Sequence, residues 1–289
     1  MKDKICLITG ANTGIGFATA KGLAEKGAHV VMVCRNPQKA EKAREELVQK
    51  TGNEQIDVLL CDLSSQKEVR QLAEKVMATY SRLDVLINNA GVFFTEYAET
   101  VDGIERQFAI NHLSPFLLTN LLLPLLKSTG KARIINTSSI ANYKGKIHFT
   151  DLNLKKNYNG LAAYRQSKLA NVLFTNGLAE RLANTDVTAN SLHPGIVSTQ
   201  IGYVNSNSFE AWVWKLANPF MISWNKGAKT TIYLASSEEV EGVSEKYFEK
   251  CKPKRAAACS YEIDLINRLW AVSEKMTGLA EENREDGKA

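Results

Sequence analysis

A doubly wound α/β domain, with a seven-stranded, mainly parallel sheet and helices on both faces, is the fold class that these 289 residues predict. Short β-branched runs alternate with longer segments of helical period, a pattern that lays parallel strands beneath crossover helices. No Pro/Ser/Gly-rich linker, internal repeat or low-complexity tract breaks the alternation. With only 6 prolines and 44% hydrophobic residues, one domain with a large core is expected rather than two.

In chain order, the strands are expected at residues 5–8, 29–33, 56–60, 85–87, 133–137 and 188–192. Helices begin near Gly14, Pro37, Ser65, Gly103, Leu161 and Lys226. Two regions depart from the rhythm. Residues 143–160 are polar with little periodicity, and residues 203–225 carry Phe209, Trp212, Trp214, Phe220 and Trp224. Long departures of this kind inside a regular α/β domain are usually functional loops. The aromatic segment reads as a substrate lid, with an oligomer contact and a shallow membrane-surface patch as alternatives. The domain is expected over residues 1–277, with 278–289 a flexible tail.

Composition removes several function classes. The net charge of +5 comes from 36 Lys+Arg scattered among 31 Asp+Glu, so no nucleic-acid groove is expected. The apolar stretches are interrupted well before ~18 residues, which argues against a transmembrane span. Met1-Lys2-Asp3-Lys4 runs straight into an apolar strand and leaves no room for a signal peptide, so a cytoplasmic protein is expected. Five cysteines form no C-x-x-C pair, and Cys6, Cys34 and Cys61 read as reduced core fillers. The four histidines lack paired spacing, so no metal site is expected.

The first strand runs into Gly10-Ala11-Asn12-Thr13-Gly14-Ile15-Gly16 and then a helix. Such a turn suits a pyrophosphate: glycines allow close approach, and the helix N-terminus supplies amide donors and a positive dipole end. The second strand ends in Cys34-Arg35-Asn36, where an NAD-preferring site would offer a carboxylate. Arg35 is placed to pair with a 2′-phosphate, which favours NADP(H); a solvated Arg beside the next helix is the alternative. Asp62 and Leu63 after the third strand suit an adenine, and Asn89, Ala90 and Gly91 after the fourth suit a ribose. On the helix after Leu161, Tyr164 and Lys168 are four apart and share one face, a pairing suited to proton transfer at a carbinol oxygen.

This ordered set, together with Asn111, Ser139 and His193-Pro194-Gly195-Ile196-Val197-Ser198-Thr199, resembles the short-chain dehydrogenase/reductase family over residues 4 to about 250. The G-x-x-x-G-x-G spacing resembles its single-domain branch. The stretches Val33–Asn36, Phe149–Asn153, Ser167–Thr175 and Gly242–Phe248 look most like the NADP-dependent retinol dehydrogenases. The resemblance implies a Rossmann fold, with Tyr164 as acid-base, Lys168 lowering its pKa and holding the nicotinamide ribose, and Ser139 on the substrate oxygen. Asn111 would anchor a proton-relay water, and Ser138 competes with Ser139. Pro194, Gly195, Val197 and Thr199 would seat the nicotinamide, with Asn36 beside Arg35 at the far end of the cofactor.

The resemblance further implies a hydrophobic aldehyde, ketone or alcohol as substrate; it leaves the oligomeric state open between monomer and homodimer, the helices near residues 103–126 and 161–182 being where family dimers usually form. Two departures stand out. Residues 139 and 164 are 25 apart, an insertion expected to wall the substrate, and Arg165-Gln166 replaces a frequent Cys-His pair of the retinol dehydrogenases. An NADP(H)-sensing module with vestigial catalysis is the alternative function.

Overall fold

The computed structural model describes residues 1–195 and 223–280. The strands are β1 (Ile5–Thr9), β2 (His29–Cys34), β3 (Ile56–Leu60), β4 (Val85–Asn88), β5 (Arg133–Thr137), β6 (Thr188–His193), β7 (Tyr247–Glu249) and β8 (Lys252–Lys254). They form one sheet in the order β3-β2-β1-β4-β5-β6-β7-β8. Strands β1 to β7 are parallel, as the alternation predicts, and β8 pairs antiparallel with β7 as an added edge. All three β8 residues, Lys252, Pro253 and Lys254, are exposed. Lysine and proline on an edge strand discourage further pairing.

The helices are α1 (Gly14–Ala24), α2 (Pro37–Thr51), α3 (Gln66–Thr79), α4 (Arg106–Thr129), α5 (Gly160–Arg181), α6 (Trp224–Ser236) and α7 (Ile263–Thr277). Local chemistry sets their starts. Asn36, Ser65 and Asn159 cap α2, α3 and α5 by accepting the backbone N–H of Lys39, Glu68 and Ala162. The helix expected from Gly103 begins at Arg106 instead, because the Glu105 carboxylate accepts the N–H groups of Gln107 (3.0 Å) and Phe108 (2.7 Å). The aromatic segment 203–225 lies outside the described residues except at its end, where Ser223 caps α6 and Trp224 and Asn225 already form its first turn.

One apolar layer packs α1, α2 and α6 against one face of the sheet through Leu23, Ala40, Leu47 and Leu234. The other packs α3, α4 and α5 through Val69, Leu72, Phe116, Leu117, Phe174 and Leu178. By length and mean hydropathy (1.4) the α4 segment would suffice to cross a membrane, but 72% of its most apolar stretch is buried within the domain. It is a core helix.

One expectation is corrected at the C-terminus. Helix α7 lies across α4 and α5, where Trp270 meets Phe116 edge-on (ring centroids 5.0 Å apart) and packs near Phe174 (5.9 Å). Every residue of α5 from Gln166 to Ala179 is buried within the domain. Leu279, inside the expected 278–289 tail, is buried in the same core as Trp270.

Trp270 stacks under the Arg181 guanidinium (3.8 Å to the ring centroid) as well as closing the α4/α5 core. Replacing it with alanine is expected to cost about 3–5 kcal/mol. Urea unfolding at neutral pH checks this; a loss below 1 kcal/mol would show that α7 is only loosely docked.

Candidate functional site

Strand order reverses between β1 and β4, each winding away from the other, and the crevice beyond their carboxyl ends is where open α/β sheets bind ligands. The sequence-predicted glycine turn stands there. Gly10 (φ +66°) turns the chain out of β1, and Gly14 (φ +61°) opens α1. A Cβ on Gly16 would lie 2.1 Å from the Gly10 carbonyl oxygen and 2.6 Å from Asn89 Nδ2, so only glycine fits. Thr13 is exposed, Asn12 and Ile15 are half-buried, and the Thr13 side chain makes no capping bond.

The loop after β4 is tied to this turn by Thr9, a residue that sequence reasoning missed. Its hydroxyl oxygen accepts the N–H groups of both Asn89 and Ala90 (3.0 Å each), while Asn89 Nδ2 donates to the Thr9 carbonyl (2.9 Å). Asn88 belongs to the core, donating to Thr119 and to Asn136. Arg35 is exposed at the end of β2 and pairs with no carboxylate among the described residues. Asn36 Oδ1 is committed to its helix cap, accepting the Lys39 N–H (2.9 Å). Asp62 Oδ1 accepts the N–H and hydroxyl of Ser64 (2.9 and 2.8 Å), and Leu63 packs on the core edge.

Beyond β5, the paired serines face different partners. Ser138 is buried and donates to the Lys168 carbonyl (2.7 Å). Ser139 is half-buried and sits beside the Tyr164 phenol. Burial pushes that phenol up from its ordinary value, and the Ser139 hydroxyl pulls it down by less. Phe93 meets Tyr164 edge-on at 5.6 Å. Lys168 is only 3% exposed and donates from Nζ to the Thr137 carbonyl (3.1 Å). Burial pushes its ammonium down to about 8. Nζ lies 5.6 Å from the Tyr164 ring centroid, as the four-residue spacing requires.

A Cβ on Gly91 would approach Lys168 Nζ at 3.2 Å and Asn111 Oδ1 at 3.6 Å, so the ribose-side loop, the lysine and the asparagine converge. Asn111 lies in a π turn (Ala109–Leu113) inside α4, a distortion frequent at functional sites. Its amide is spent on the backbone of Val92 (2.7 and 2.9 Å) and on the Ser167 hydroxyl (3.0 Å). The implied water relay therefore finds this side chain already clasping the loop after Gly91. Pro194 and Gly195 (φ +97°) follow β6 at the same end of the sheet. Val197 and Thr199 lie outside the described residues.

The insertion between Ser139 and Tyr164 is held from beneath. Gln166, the departure from the Cys-His pattern, is buried; its Oε1 accepts from His148 N and its Nε2 donates to the Leu152 carbonyl (2.8 Å each). Gln107 Nε2 donates to the carbonyls of Phe94 and Gly160 and to the Tyr158 hydroxyl. The polar 143–160 segment is thus tied to α5 through Gln166 and to α4 through Gln107. His112 is packed, as expected, with Nε2 at 2.9 Å from the Ser273 hydroxyl and burial driving its pKa down to about 3. Among the described residues no cluster of metal-ligating side chains occurs.

Residues 4–208 match the model of the short chain dehydrogenase family. Retinol dehydrogenase 12 of Mus musculus is 44% identical over 276 residues, spanning 96% of this chain and 87% of that protein. Retinol dehydrogenase 11 of Homo sapiens is 43% identical over 279 residues, with the same two coverages. Among solved structures, an uncharacterised Mycobacterium paratuberculosis protein superposes with a TM-score of 0.78 at 34% identity, covering 96% of this chain and 94% of that one. An RhlG/NADP active-site complex of Pseudomonas aeruginosa does so with a TM-score of 0.69 at 25% identity, covering 86% and 95%. With the family model matching residues 4–208 and relatives more than 40% identical over nearly the whole chain, the chain belongs to the short chain dehydrogenase family.

Proposed function

We propose that this chain is an NADP(H)-dependent oxidoreductase that interconverts a hydrophobic aldehyde or ketone and its alcohol, in the manner of a retinol dehydrogenase. The observation that carries the proposal is the convergence of the Tyr164 phenol, the Ser139 hydroxyl and the Lys168 ammonium beside the glycine turn. The residues present fit a dinucleotide: Gly16 leaves the Gly10 carbonyl no side chain to clear, Gly91 puts no side chain against the Lys168 ammonium, and Arg35 offers a guanidinium that pairs with no carboxylate among the described residues. Gly10–Gly16 would hold the pyrophosphate, Arg35 a 2′-phosphate, and Lys168 the nicotinamide ribose. The NADP complex of the Pseudomonas aeruginosa neighbour and the names of the retinol dehydrogenase relatives support this cofactor and a greasy substrate.

When bound, the cofactor supplies or accepts the hydride. The chain's own groups handle the oxygen. Ser139 donates a hydrogen bond to the carbonyl oxygen, and Tyr164 delivers the proton that completes the alcohol or removes it in the reverse direction. Half-burial of the phenol keeps it protonated at neutral pH, the form that carbonyl reduction consumes. Phe93 and the wall held by Gln166 give the substrate an apolar and a rigid side.

Replacing Tyr164 with Phe is expected to lower retinal or nonanal reduction by at least about 10³-fold while NADPH still binds. NADPH oxidation followed by absorbance checks it; an unimpaired variant removes the phenol from the chemistry. Tight NADPH binding by the wild-type chain without turnover of any aldehyde, ketone or steroid offered would instead indicate a sensor. An Arg35→Asp exchange is expected to shift the NADPH:NADH affinity ratio roughly 10- to 100-fold toward NADH; isothermal titration with each cofactor measures it, and an unmoved ratio takes Arg35 out of the 2′-phosphate site.

Lys168 yields a pH signature. Its folded pKa of about 8 lies below the unfolded value of roughly 10.4. Across that interval the unfolded chain binds more protons than the folded one, so wild-type stability gains from this group as pH rises from 8 to about 10.4. A Lys168→Met variant should therefore be more stable than wild type at pH 7, with the advantage shrinking through that window. Denaturant unfolding without cofactor at pH 7, 9 and 10 reads this, and a constant difference would refute it.

A further inference from the structure

Three residues past Ser139, Asn142 is fully buried and uses both ends of its amide. Nδ2 donates to the Ser139 carbonyl (2.7 Å) and to the Tyr247 hydroxyl on β7 (3.2 Å), and Oδ1 accepts from Ala257 N (2.9 Å). The Asn142 backbone N–H reaches the same Ser139 carbonyl (3.0 Å), so that oxygen receives two hydrogen bonds from one residue. Ser139 meanwhile accepts the Ala141 N–H on its own hydroxyl oxygen (3.2 Å) as the short turn Ile140–Lys144 begins. The serine is therefore held at both its carbonyl and its side chain. What orients the turn against the rest of the molecule is the asparagine amide, which bolts it to β7 and to the chain after β8. The neighbouring Tyr143 reinforces that attachment by donating to the Arg255 carbonyl (2.8 Å) and meeting Tyr247 edge-on.

Most of this is needless if the turn has only to be stable. A turn at the end of a strand is ordinarily solvated and needs no buried three-way amide, and burying one demands that all its bonds be met. Ser139 is the only member of the Ser139–Tyr164–Lys168 group that stands on this turn; the other two share the rigid helix α5. Its hydroxyl must be registered against a helix from which it is covalently remote, and β7 with the 255–257 segment supplies the fixed frame. We propose that Asn142 is a positioning residue that sets the Ser139 hydroxyl against Tyr164, and that through it the C-terminal β7–β8 hairpin becomes part of the active-site scaffold. The inference rests on the assignment of Ser139 to the substrate oxygen.

An Asn142→Ala exchange removes all three amide bonds and is expected to lower kcat for retinal or nonanal about 10- to 100-fold, the scale of a misplacement near 1 Å. The NADPH dissociation constant should stay within twofold, since the cofactor-side residues are untouched. Tyr247→Phe, which removes one 3.2 Å bond, should change kcat by less than threefold. The decisive comparison is made in a Ser139→Ala background: if Asn142 acts through Ser139, adding Asn142→Ala there lowers kcat no further. An equal, multiplicative loss in both backgrounds would overturn the proposal, as would an Asn142→Ala enzyme with wild-type kcat. Crystal structures of wild type and Asn142→Ala give a reading independent of turnover. The Ser139 Oγ to Tyr164 Oη separation should lengthen beyond hydrogen-bonding distance in the variant, and an unchanged separation refutes the positioning role even if the chain proves to have no dehydrogenase activity.

Discussion

The whole site hangs on the joint between the end of β1 and the loop after β4. Thr9 accepts two backbone N–H groups from that loop, and Asn89 returns a bond to the Thr9 carbonyl. Because Gly16 sits within what would be a clash of the Gly10 carbonyl and the Asn89 amide, the joint also fixes how closely α1 approaches the sheet. From Asn89 the constraint runs on through Gly91, whose missing side chain makes room for Lys168, to Val92, which Asn111 clasps at both its N–H and its carbonyl. The glycine turn on one element and the Tyr164–Lys168 pair on another are thereby set at a fixed separation by a few hydrogen bonds. This arrangement is what a reaction between a bound dinucleotide and a separate substrate requires, since neither partner can adjust the distance between their sites.

What could be read from the sequence was whatever has a local signature. Strand and helix alternation survives in any context, and Gly10, Gly14 and Gly16 announce themselves because a backbone conformation or a close approach excludes other residues. Tyr164 and Lys168 share a helix face by spacing, and become legible only in company with the glycine turn, Asn111 and Ser139. Thr9, Asn142 and Gln166 were not, because an ordinary polar residue acquires its role only from the backbone groups that the fold brings to it, and these come from residues 89–90, 257 and 148–152. The three-residue strands β7 and β8 are too short to carry a period-2 pattern, and Leu279 sits in a segment whose composition is that of a tail.

Helix α5 turns its polar residues inward. Its stretch from Gln166 to Ala179 mixes Gln, Ser, Lys, Asn and Thr with apolar residues and shows no dry side and wet side, which ordinarily indicates a helix partly in solvent or at a partner surface. Here it is buried all round, and the polar side chains face neighbouring elements. Gln166 holds the wall, Asn171 donates to the Thr137 carbonyl beside Lys168, Thr175 accepts from Asn136, and Asn176 donates to the Ser260 carbonyl. Together these bonds aim α5 at three elements: the insertion, the C-terminal end of β5, and the segment leading into α7.

An apolar helix of the same volume would pack as tightly and avoid the cost of desolvating these groups, and replacing buried polar networks by apolar residues is often neutral or stabilising. It would also be free to slide or rotate, because apolar contacts have little directionality. Tyr164 and Lys168 ride on this helix, and a rotation of α5 by even a fraction of a turn would carry the phenol away from Ser139, which is fixed independently through the turn at Asn142. The polar residues of α5 therefore act as registration marks. Their loss would be felt less in the free energy of unfolding than in the alignment of two groups that arrive at the site from opposite sides of it.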